Sequence, residues 1–338
     1  MTELVSGKEK GKFQILCLSG GGVRGLYTIS VLAELEGKLS RDRGIHDYNI
    51  VRHFDMVAGT SIGGILALAL TAGKNARSLQ KLLDDKRKEI FPHKKRRWWS
   101  QAKGVAFDAD VLSKIIEQEI GSIRLKDLKT RVIVPAVNGS KGLPKVFKTP
   151  HHKDFTWDGE RKVIDVALAT SAAPTYFQAH SFSDANMGLM LDGGLFANSP
   201  SFIAYHETTC SRFLNVDSSS VYMLKVGTMG TNPKMSVDSK GTEGYLKGWA
   251  FGRGLLEMVM GVSETWHNSI TSHYLDDRFV SLDDENIHDF DLADSSDITA
   301  NALKLHANDR AQYASGNKKI MDFFEHEAEK PKFYNGGI

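Results

Sequence analysis

The stretch FDMVAGTSIGGILALALT, residues 54–71, decides the fold. Residues 54–58 are a mostly apolar run typical of a buried parallel strand, and residues 62–71 predict a buried helix. The two are joined by a G-x-S-x-G motif that consists of Gly59, Thr60, Ser61, Ile62 and Gly63. A tight strand-to-helix turn strains the serine backbone and exposes its hydroxyl, and the nearby helix N-terminus favours developing negative charge. Ser61 is therefore a candidate nucleophile.

A similar strand–turn–helix unit comes earlier in the chain. Residues 13–18 predict a buried strand, and residues 23–39 place apolar side chains at helical spacing. The junction between them is a glycine loop that consists of Gly20, Gly21, Gly22, Val23, Arg24 and Gly25. Two such units within the first 75 residues predict a doubly wound α/β sheet.

The glycine loop has two interpretations. Consecutive glycines let backbone N–H groups approach a substrate closely and stabilise an oxyanion. The same residues also fit the G-x-G-x-x-G fingerprint of dinucleotide sites, which needs an acid at the end of a second strand about 20 residues further on. Residues 40–44 are polar and show no strand pattern, so the sequence disfavours nucleotide binding at this loop.

The rest of the chain continues the α/β pattern and then becomes mainly helical. The predicted helices are 76–90, 109–120, 163–169, 245–270 and 298–325, and the predicted strands are 131–137, 189–192, 221–226 and 278–282. No repeat or linker divides the chain. We expect one α/β domain over residues 13–230 and a mainly helical C-terminal extension over residues 231–338, packed on the same domain.

Asp192 follows an apolar run, residues 189–191, and precedes Gly193 and Gly194. An acid at a strand end is held at the mouth of a sheet, and the glycines let the chain turn sharply. On its own the pattern would be more typical of an aspartate that caps a turn.

Taken together, the three motifs resemble the patatin-like phospholipase family. That family combines a G-G-G-x-R/K-G loop, a G-x-S-x-G elbow and a D-G-G/A motif in this order, and residues 169–177 and 198–200 are similar to two further family blocks. The resemblance covers residues 13–230. It implies a three-layer α/β/α fold with a mostly parallel sheet, and hydrolysis of acyl esters of membrane phospholipids without a cofactor or metal.

The resemblance also implies a catalytic dyad of Ser61 and Asp192, with the oxyanion held by N–H groups of Gly21, Gly22 and Ile62. Arg24 would either orient the loop or offer positive charge near a lipid phosphate. Of the twelve histidines, none stands where a Ser-His-Asp triad would need one, and His180 and His206 are interpreted as structural or surface residues. In the dyad the carboxylate accepts the serine proton directly.

Composition is that of an ordinary globular protein, with 41% hydrophobic residues, 25% charged residues and a net charge of +2. Residues 1–12 do not look like a secretory signal, and the longest apolar stretch, residues 62–72, is too short to cross a bilayer. Two cysteines far apart, Cys17 and Cys210, fit a reducing cytosol, with Cys17 a buried free thiol. We expect a cytoplasmic protein that associates peripherally with the inner face of the cell membrane.

One segment combines cations and indoles: Lys94, Lys95, Arg96, Arg97, Trp98 and Trp99. Such a segment suits an anionic membrane interface, and we interpret it as a membrane-facing flap. The alternative is a solvated loop whose tryptophans pack on the core. No recognition motif supports nucleic-acid binding, which the sequence therefore disfavours.

Several alternatives stay open. The same chemistry would serve a thioesterase, an acyltransferase or a small-ester hydrolase. The resemblance extends to bacterial proteins of this length that are switched on by cyclic nucleotides in antiphage defence, which implies a cyclic dinucleotide partner, although no nucleotide-binding motif is found. A non-catalytic lipid-binding protein is disfavoured because Ser61 and Asp192 are both intact. A homo-oligomer is compatible with the sequence, which does not fix the oligomeric state, the acyl position or the headgroup.

Overall fold

A computed structural model of the chain describes residues 11–92, 105–184, 186–230, 253–284 and 290–334. Its strands are β1 (Phe13–Leu18), β2 (Met56–Gly59), β3 (Arg131–Asn138), β4 (Leu143–Lys148), β5 (His180–Ser181), β6 (Leu189–Asp192), β7 (Val221–Val226) and β8 (Phe279–Leu282). Its α-helices are α1 (Gly25–Arg43), α2 (Ile62–Thr71), α3 (Ala76–Ile90), α4 (Ala109–Ile120), α5 (Thr156–Gly159), α6 (Val163–Thr170), α7 (Gly194–Ala197), α8 (Ser201–Thr209), α9 (Arg253–Leu275), α10 (Asp297–Gly316) and α11 (Lys318–Met321).

In the described residues the strands form one sheet in the order β5-β6-β3-β2-β1-β7-β8, with β4 also paired to β3. Strands β3, β2, β1, β7 and β8 run parallel, whereas β4, β6 and β5 add antiparallel pairs. The parallel strands place their carboxyl ends at one edge of the sheet, and Ser19, Ser61 and Asp283 follow β1, β2 and β8 there. This edge is where ligands bind in open α/β sheets.

The two faces of the sheet are both covered. Leu16 and Leu18 of β1 point into a large core shared with α1, α2, α3 and α10, whereas Ile15 and Cys17 point into a smaller core shared with α8 and the end of α9. This alternation is what a strand buried on both sides produces. The predicted three-layer α/β/α fold with a mostly parallel sheet is confirmed.

The arrangement around β3 brings distant parts of the chain together. β2 pairs with β3 at residues 131–133, and β6 pairs with it at residues 136–138. β4 overlaps both registers, so it occupies the opposite edge of β3. β2 and β6 therefore lie end to end on one edge, with their carboxyl ends facing each other across Pro135.

Most predicted elements have the observed bounds or differ by a few residues. The helix predicted over residues 298–325 is wrong as a single element, because α10 ends at Gly316 and the side chain of Asn317 caps α11 by accepting a hydrogen bond from Ile320 N. The helix predicted over residues 245–270 is observed from Arg253 onward and continues to Leu275, and residues 245–252 lie outside the described residues. β4 and β5 are absent from the sequence prediction.

Two further observations bear on expectations about the whole chain. Cys17 is a free, fully buried thiol, as predicted, and Cys210 is also free. Burial raises the pKa of Cys17 to about 12. Among the described helices, none combines the length and the apolar character needed to cross a membrane.

Candidate active site

Ser61 occupies a strained turn between β2 and α2. Its backbone has φ 55° and ψ −126°, a conformation rarely adopted by residues other than glycine. The turn is fixed because Ser61 N donates to Thr170 Oγ1 at 3.0 Å, and that hydroxyl donates to Pro135 O at 2.6 Å. A Cβ on Gly63 would lie 2.4 Å from Leu18 O, so the close approach of α2 to β1 requires glycine there. The strained elbow predicted from the sequence is therefore present.

Asp192, the last residue of β6, lies directly opposite this serine. Ser61 Oγ donates to Asp192 Oδ2 at 2.6 Å, and Gly194 N donates to Asp192 Oδ1 at 2.7 Å. Both side chains are buried, with 7% of Ser61 and 2% of Asp192 exposed. Burial raises the pKa of Asp192 from 3.8 to about 6, although the hydrogen bonds from Ser61 and Gly194 oppose this shift. The carboxylate is thus oriented by one oxygen and faces the hydroxyl with the other.

The glycine loop divides into amides that are engaged in the fold and amides that are not. Four of its N–H groups have backbone acceptors: Gly20 donates to Asn198 O, Val23 to Leu292 O, Arg24 to Gly21 O, and Gly25 to Gly22 O and Val23 O. Within the described part of the chain, no acceptor is found for the N–H groups of Gly21 and Gly22. Gly21 and Gly22 are therefore the loop residues whose N–H groups are available to an oxyanion, and the oxyanion role of the loop stays a prediction.

Arg24 lines a different cavity from the one that Ser61 lines. Its side chain is 6% exposed, Nη1 donates to Phe290 O at 3.2 Å, and burial lowers its pKa. The side chain lines a polar cavity on the other side of the glycine loop, together with Glu257, Glu264 and Asp283. Both roles considered for Arg24, orienting the loop and offering positive charge near a lipid phosphate, stay predictions.

Ser61 and Asp192 open into a cavity with mainly apolar walls. Its apolar lining includes Ile62, Ile65, Ile90, Phe91, Leu112, Ala173, Tyr176, Phe177, Met260 and Leu292. Gly22 also borders it, which places the glycine loop beside the serine. The cavity volume is about 40 Å³.

A second apolar cavity continues from the first along α2. The two share Ile62, Ile65, Ile90 and Leu112, and the second runs between α2, α3 and α4 as far as Ala69, Leu79 and Ile120. The seven-residue distance from Ile62 to Ala69 corresponds to about 10 Å of helix. The serine therefore lies at one end of an extended apolar path.

No histidine lines the serine cavity among the described residues. His180 Nε2 lies 3.1 Å from Asp165 Oδ1, and the ring of His206 packs against Phe213. No group of His, Cys, Asp and Glu in the described ranges is suited to hold a metal ion. Asp192 is therefore the candidate base for Ser61.

Some predicted residues lie outside the described part of the chain, and some residues that contact the site were not predicted. Lys94, Lys95, Arg96, Arg97, Trp98 and Trp99 lie outside the described residues, so the membrane-facing role stays a prediction. Thr170 and Asn198, which hold the elbow and the glycine loop, were not predicted, although both lie in the blocks that resemble the family. Glu264 of α9 also contacts this region, and no sequence signal marks it.

Comparison with known proteins agrees with the geometry. A family model described as patatin-like phospholipase matches residues 16–205. A cGAMP-activated phospholipase of Vibrio cholerae is 40% identical, over 96% of this chain and 97% of its own length. Proteins of the same description from Escherichia coli and Pseudomonas aeruginosa are 38% and 36% identical, over 95% and 96% of this chain and 95% of their own length in both cases.

Proposed function

The chain belongs to the patatin-like phospholipase family, and from this premise we propose that it hydrolyses an acyl ester of a membrane phospholipid with Ser61 as nucleophile and Asp192 as base. One observation carries the proposal: the buried hydrogen bond of 2.6 Å from Ser61 Oγ to Asp192 Oδ2. A nucleophile and its base within hydrogen-bond reach are the basis of covalent catalysis by serine. Asp192 Oδ1 accepts a hydrogen bond from Gly194 N, and this bond keeps Oδ2 directed at the Ser61 hydroxyl.

In the first half of the reaction, Ser61 Oγ attacks the ester carbonyl carbon while its proton passes to Asp192 Oδ2. The carbonyl π electrons move to the oxygen, and the free N–H groups of Gly21 and Gly22 stabilise the resulting oxyanion. The N–H of Ile62 lies in the first turn of α2, where no intrahelical acceptor exists, and adds a third donor. Collapse of the intermediate breaks the C–O bond, and Asp192 returns the proton to the leaving alcohol, a lysophospholipid.

In the second half, a water molecule gives its proton to Asp192 and attacks the acyl-enzyme ester. Collapse of the second intermediate restores Ser61 and releases the fatty acid. The elevated pKa of Asp192, about 6, makes it a stronger base than an ordinary carboxylate while leaving it mostly ionised at neutral pH. One group thus serves as base and acid in each half-reaction.

The apolar path from Ser61 supports a long acyl chain as the substrate group. Its walls along α2, α3 and α4 are mainly aliphatic and aromatic, with Lys86 and Glu119 also in the lining, and an apolar chain loses less hydration there than a polar substrate would. A water-filled site for small esters would not need this length. The basic–aromatic segment at residues 94–99 supports a location on the inner face of the membrane.

We further propose that the enzyme is activated by a cyclic dinucleotide and acts in antiphage defence, as the description of the relatives as cGAMP-activated suggests. In this proposal residues 13–230 form the hydrolase domain, and residues 231–338 form an extension that adds β8 to its sheet.

The test uses anionic phosphatidylethanolamine–phosphatidylglycerol vesicles incubated with the full chain, Ser61→Ala or Asp192→Asn, each with and without cGAMP. Lysophospholipid and fatty acid, measured by mass spectrometry, should appear only with the parent protein and chiefly with cGAMP. Release by Ser61→Ala at the parent rate would refute the mechanism. Full activity without a nucleotide would remove the activation step, and hydrolysis of short soluble esters alone would favour a small-ester hydrolase or thioesterase.

A further inference from the structure

A carboxylate from α9 enters the carboxyl-end edge of the sheet beside the glycine loop. Glu264 Oε1 accepts hydrogen bonds from Ser19 Oγ at 2.7 Å and from Lys225 Nζ at 2.9 Å. Glu264 Oε2 accepts one from Asn198 Nδ2 at 2.7 Å. Only 13% of the Glu264 side chain is exposed. Both oxygens of this acid are therefore used by groups that flank the proposed oxyanion site.

Asn198 connects this carboxylate to the glycine loop. Its carbonyl accepts Gly20 N at 2.9 Å, and its Nδ2 also donates to Gly20 O at 3.2 Å. Thr228 Oγ1 donates to the same Gly20 oxygen at 3.0 Å. Gly20 is thus bound through both of its backbone polar groups, immediately before the two free amides.

The fit between Gly20, Asn198 and Ser61 leaves no free space. A Cβ on Gly20 would lie 2.4 Å from Asn198 Oδ1 and 3.2 Å from Ser61 Cβ. A displacement of Asn198 would therefore move the start of the glycine loop relative to the serine. Since an oxyanion donor must lie within about 0.5 Å of its productive position, even a small displacement matters.

The cluster contains one cation, Lys225, and two carboxylates, Glu264 and Asp283. Lys225 is 2% exposed and is shared between Glu264 and Asp283, whose Oδ2 lies 2.6 Å from Lys225 Nζ. Burial opposes the charge of Lys225, but the two carboxylates outweigh it and raise its pKa. Burial likewise opposes the charge of Glu264, but Lys225 and the hydrogen bonds from Ser19 and Asn198 lower its pKa. Glu264 is thus an ionised, fully bonded anchor.

Stability alone does not explain such a cluster. A buried ion pair is often no more stabilising than apolar residues of the same volume, because desolvation offsets the attraction. What the cluster uniquely provides is a fixed direction for the Asn198 amide. We infer that Glu264 is a positioning residue that holds the glycine loop in its oxyanion-binding shape through Asn198, an inference that rests on the proposed function.

Replacement of Glu264 by glutamine tests this inference with little change in volume. A glutamine has one acceptor oxygen and one NH₂ donor. If its oxygen bonds Asn198, its NH₂ faces Lys225 and Ser19, and if it turns around, its NH₂ faces Asn198 Nδ2. In the first orientation the NH₂ opposes the Lys225 ammonium. In the second it opposes the Asn198 NH₂ group, and the Asn198 amide loses its anchor.

Glu207→Gln is the matched control. Glu207 is also a buried acid, 1% exposed, and is paired with Lys148 and with His151 Nε2, the latter at 3.1 Å, away from the glycine loop. Both variants lose a buried carboxylate, so both should unfold at a lower temperature. Only Glu264→Gln should impair the chemical step.

The measurements are kcat and KM on a soluble long-chain ester, and the Ki of a trifluoromethyl ketone that forms an oxyanion on serine. Loss of one oxyanion donor lowers kcat about 10²–10³-fold, so a displaced loop should lower it about 10- to 100-fold, with KM changed less than threefold. The Ki should rise in parallel with the loss of kcat. Glu207→Gln should leave kcat and Ki within twofold of the parent.

Equal kcat for Glu264→Gln, Glu264→Asp and Glu207→Gln would overturn the inference, because aspartate shortens the reach to Asn198 even where glutamine keeps that contact. If Glu264→Gln does not fold, Glu264→Asp keeps the charge beside Lys225 but shortens the reach to Asn198, and unchanged kcat there would overturn it equally. Ser61→Ala separates the two proposals. Activity retained by Ser61→Ala refutes the proposed function, whereas activity lost in Ser61→Ala but kept in both Glu264 variants refutes the positioning role alone.

Discussion

Replacement of Asp192 by asparagine should stabilise the protein at pH 8 while it abolishes hydrolysis. The ionised carboxylate is fully buried, and its pKa rises from 3.8 in the unfolded chain to about 6 in the folded protein. An asparagine would keep both contacts, because its oxygen accepts Gly194 N and its NH₂ donates to Ser61 Oγ. It carries no charge to desolvate.

The sign and size of the effect on the unfolding free energy follow from the shift in the pKa of Asp192. Because the folded pKa is raised, the stability that Asp192 contributes is complete below pH 3.8 and is lost as the pH rises through 6. The full shift of about two units corresponds to about 3 kcal/mol, of which about 1.4 kcal/mol is regained between pH 8 and pH 5. The asparagine variant lacks this gain. Its advantage in unfolding free energy over the parent should therefore be about 1.4 kcal/mol larger at pH 8 than at pH 5.

Urea unfolding at both pH values, followed by circular dichroism, measures this difference. All other titrating groups are common to the two proteins and cancel. A gap between variant and parent that is equal at the two pH values, or larger at pH 5, would refute the reasoning. Ser61→Ala gives a second arm: it removes a hydrogen bond that lowers the Asp192 pKa, so its unfolding free energy should depend on pH more steeply than that of the parent.

Two further predictions concern pH and the membrane. Since Asp192 must be ionised to accept the serine proton, kcat/KM on a soluble ester should fall about tenfold per pH unit below pH 6, to about one-tenth of its plateau at pH 5, and a midpoint near 3.8 would contradict the role of burial. Changing Lys94, Lys95, Arg96 and Arg97 to glutamate should weaken binding to anionic vesicles at least about a thousandfold, because each basic residue contributes about 1 kcal/mol. Vesicle hydrolysis should fall while soluble-ester hydrolysis is retained. Equal loss on both substrates would count against the membrane-facing flap.

The local features of the site could be predicted because they depend on neighbours in sequence. The elbow at Ser61 follows from a buried strand, flanking glycines and a buried helix, and α2 has the predicted bounds. The helix after the glycine loop was also predicted, although it begins at Gly25 and continues to Arg43. Short-range sterics decide these elements, so the motifs were sufficient.

The contacts between distant residues could not be derived in the same way. That Asp192 faces Ser61 was implied by resemblance, whereas the physical cause is the end-to-end placement of β2 and β6 along β3. β4 escaped prediction because Pro144 and the lysines at 145 and 148, three residues apart, give it no alternating strand pattern. Glu264 lies in an amphipathic helix and looks there like an ordinary surface acid, so only the tertiary structure brings it to Asn198.

Pro135 gives the interruption of the sheet a further meaning. A proline inside an apolar strand usually argues against a central position, because it lacks the N–H that a neighbouring strand needs. Pro135 lies where β2 has ended and β6 has not begun, so no neighbouring strand needs an N–H group from it. Its carbonyl accepts a hydrogen bond from Thr170 Oγ1, and that hydroxyl accepts one from Ser61 N. The sheet is interrupted between β2 and β6, and Ser61 and Asp192 lie at this interruption. A proline in the middle of an otherwise apolar strand can therefore mark, in a sequence, a gap between two neighbouring strands where a candidate site lies.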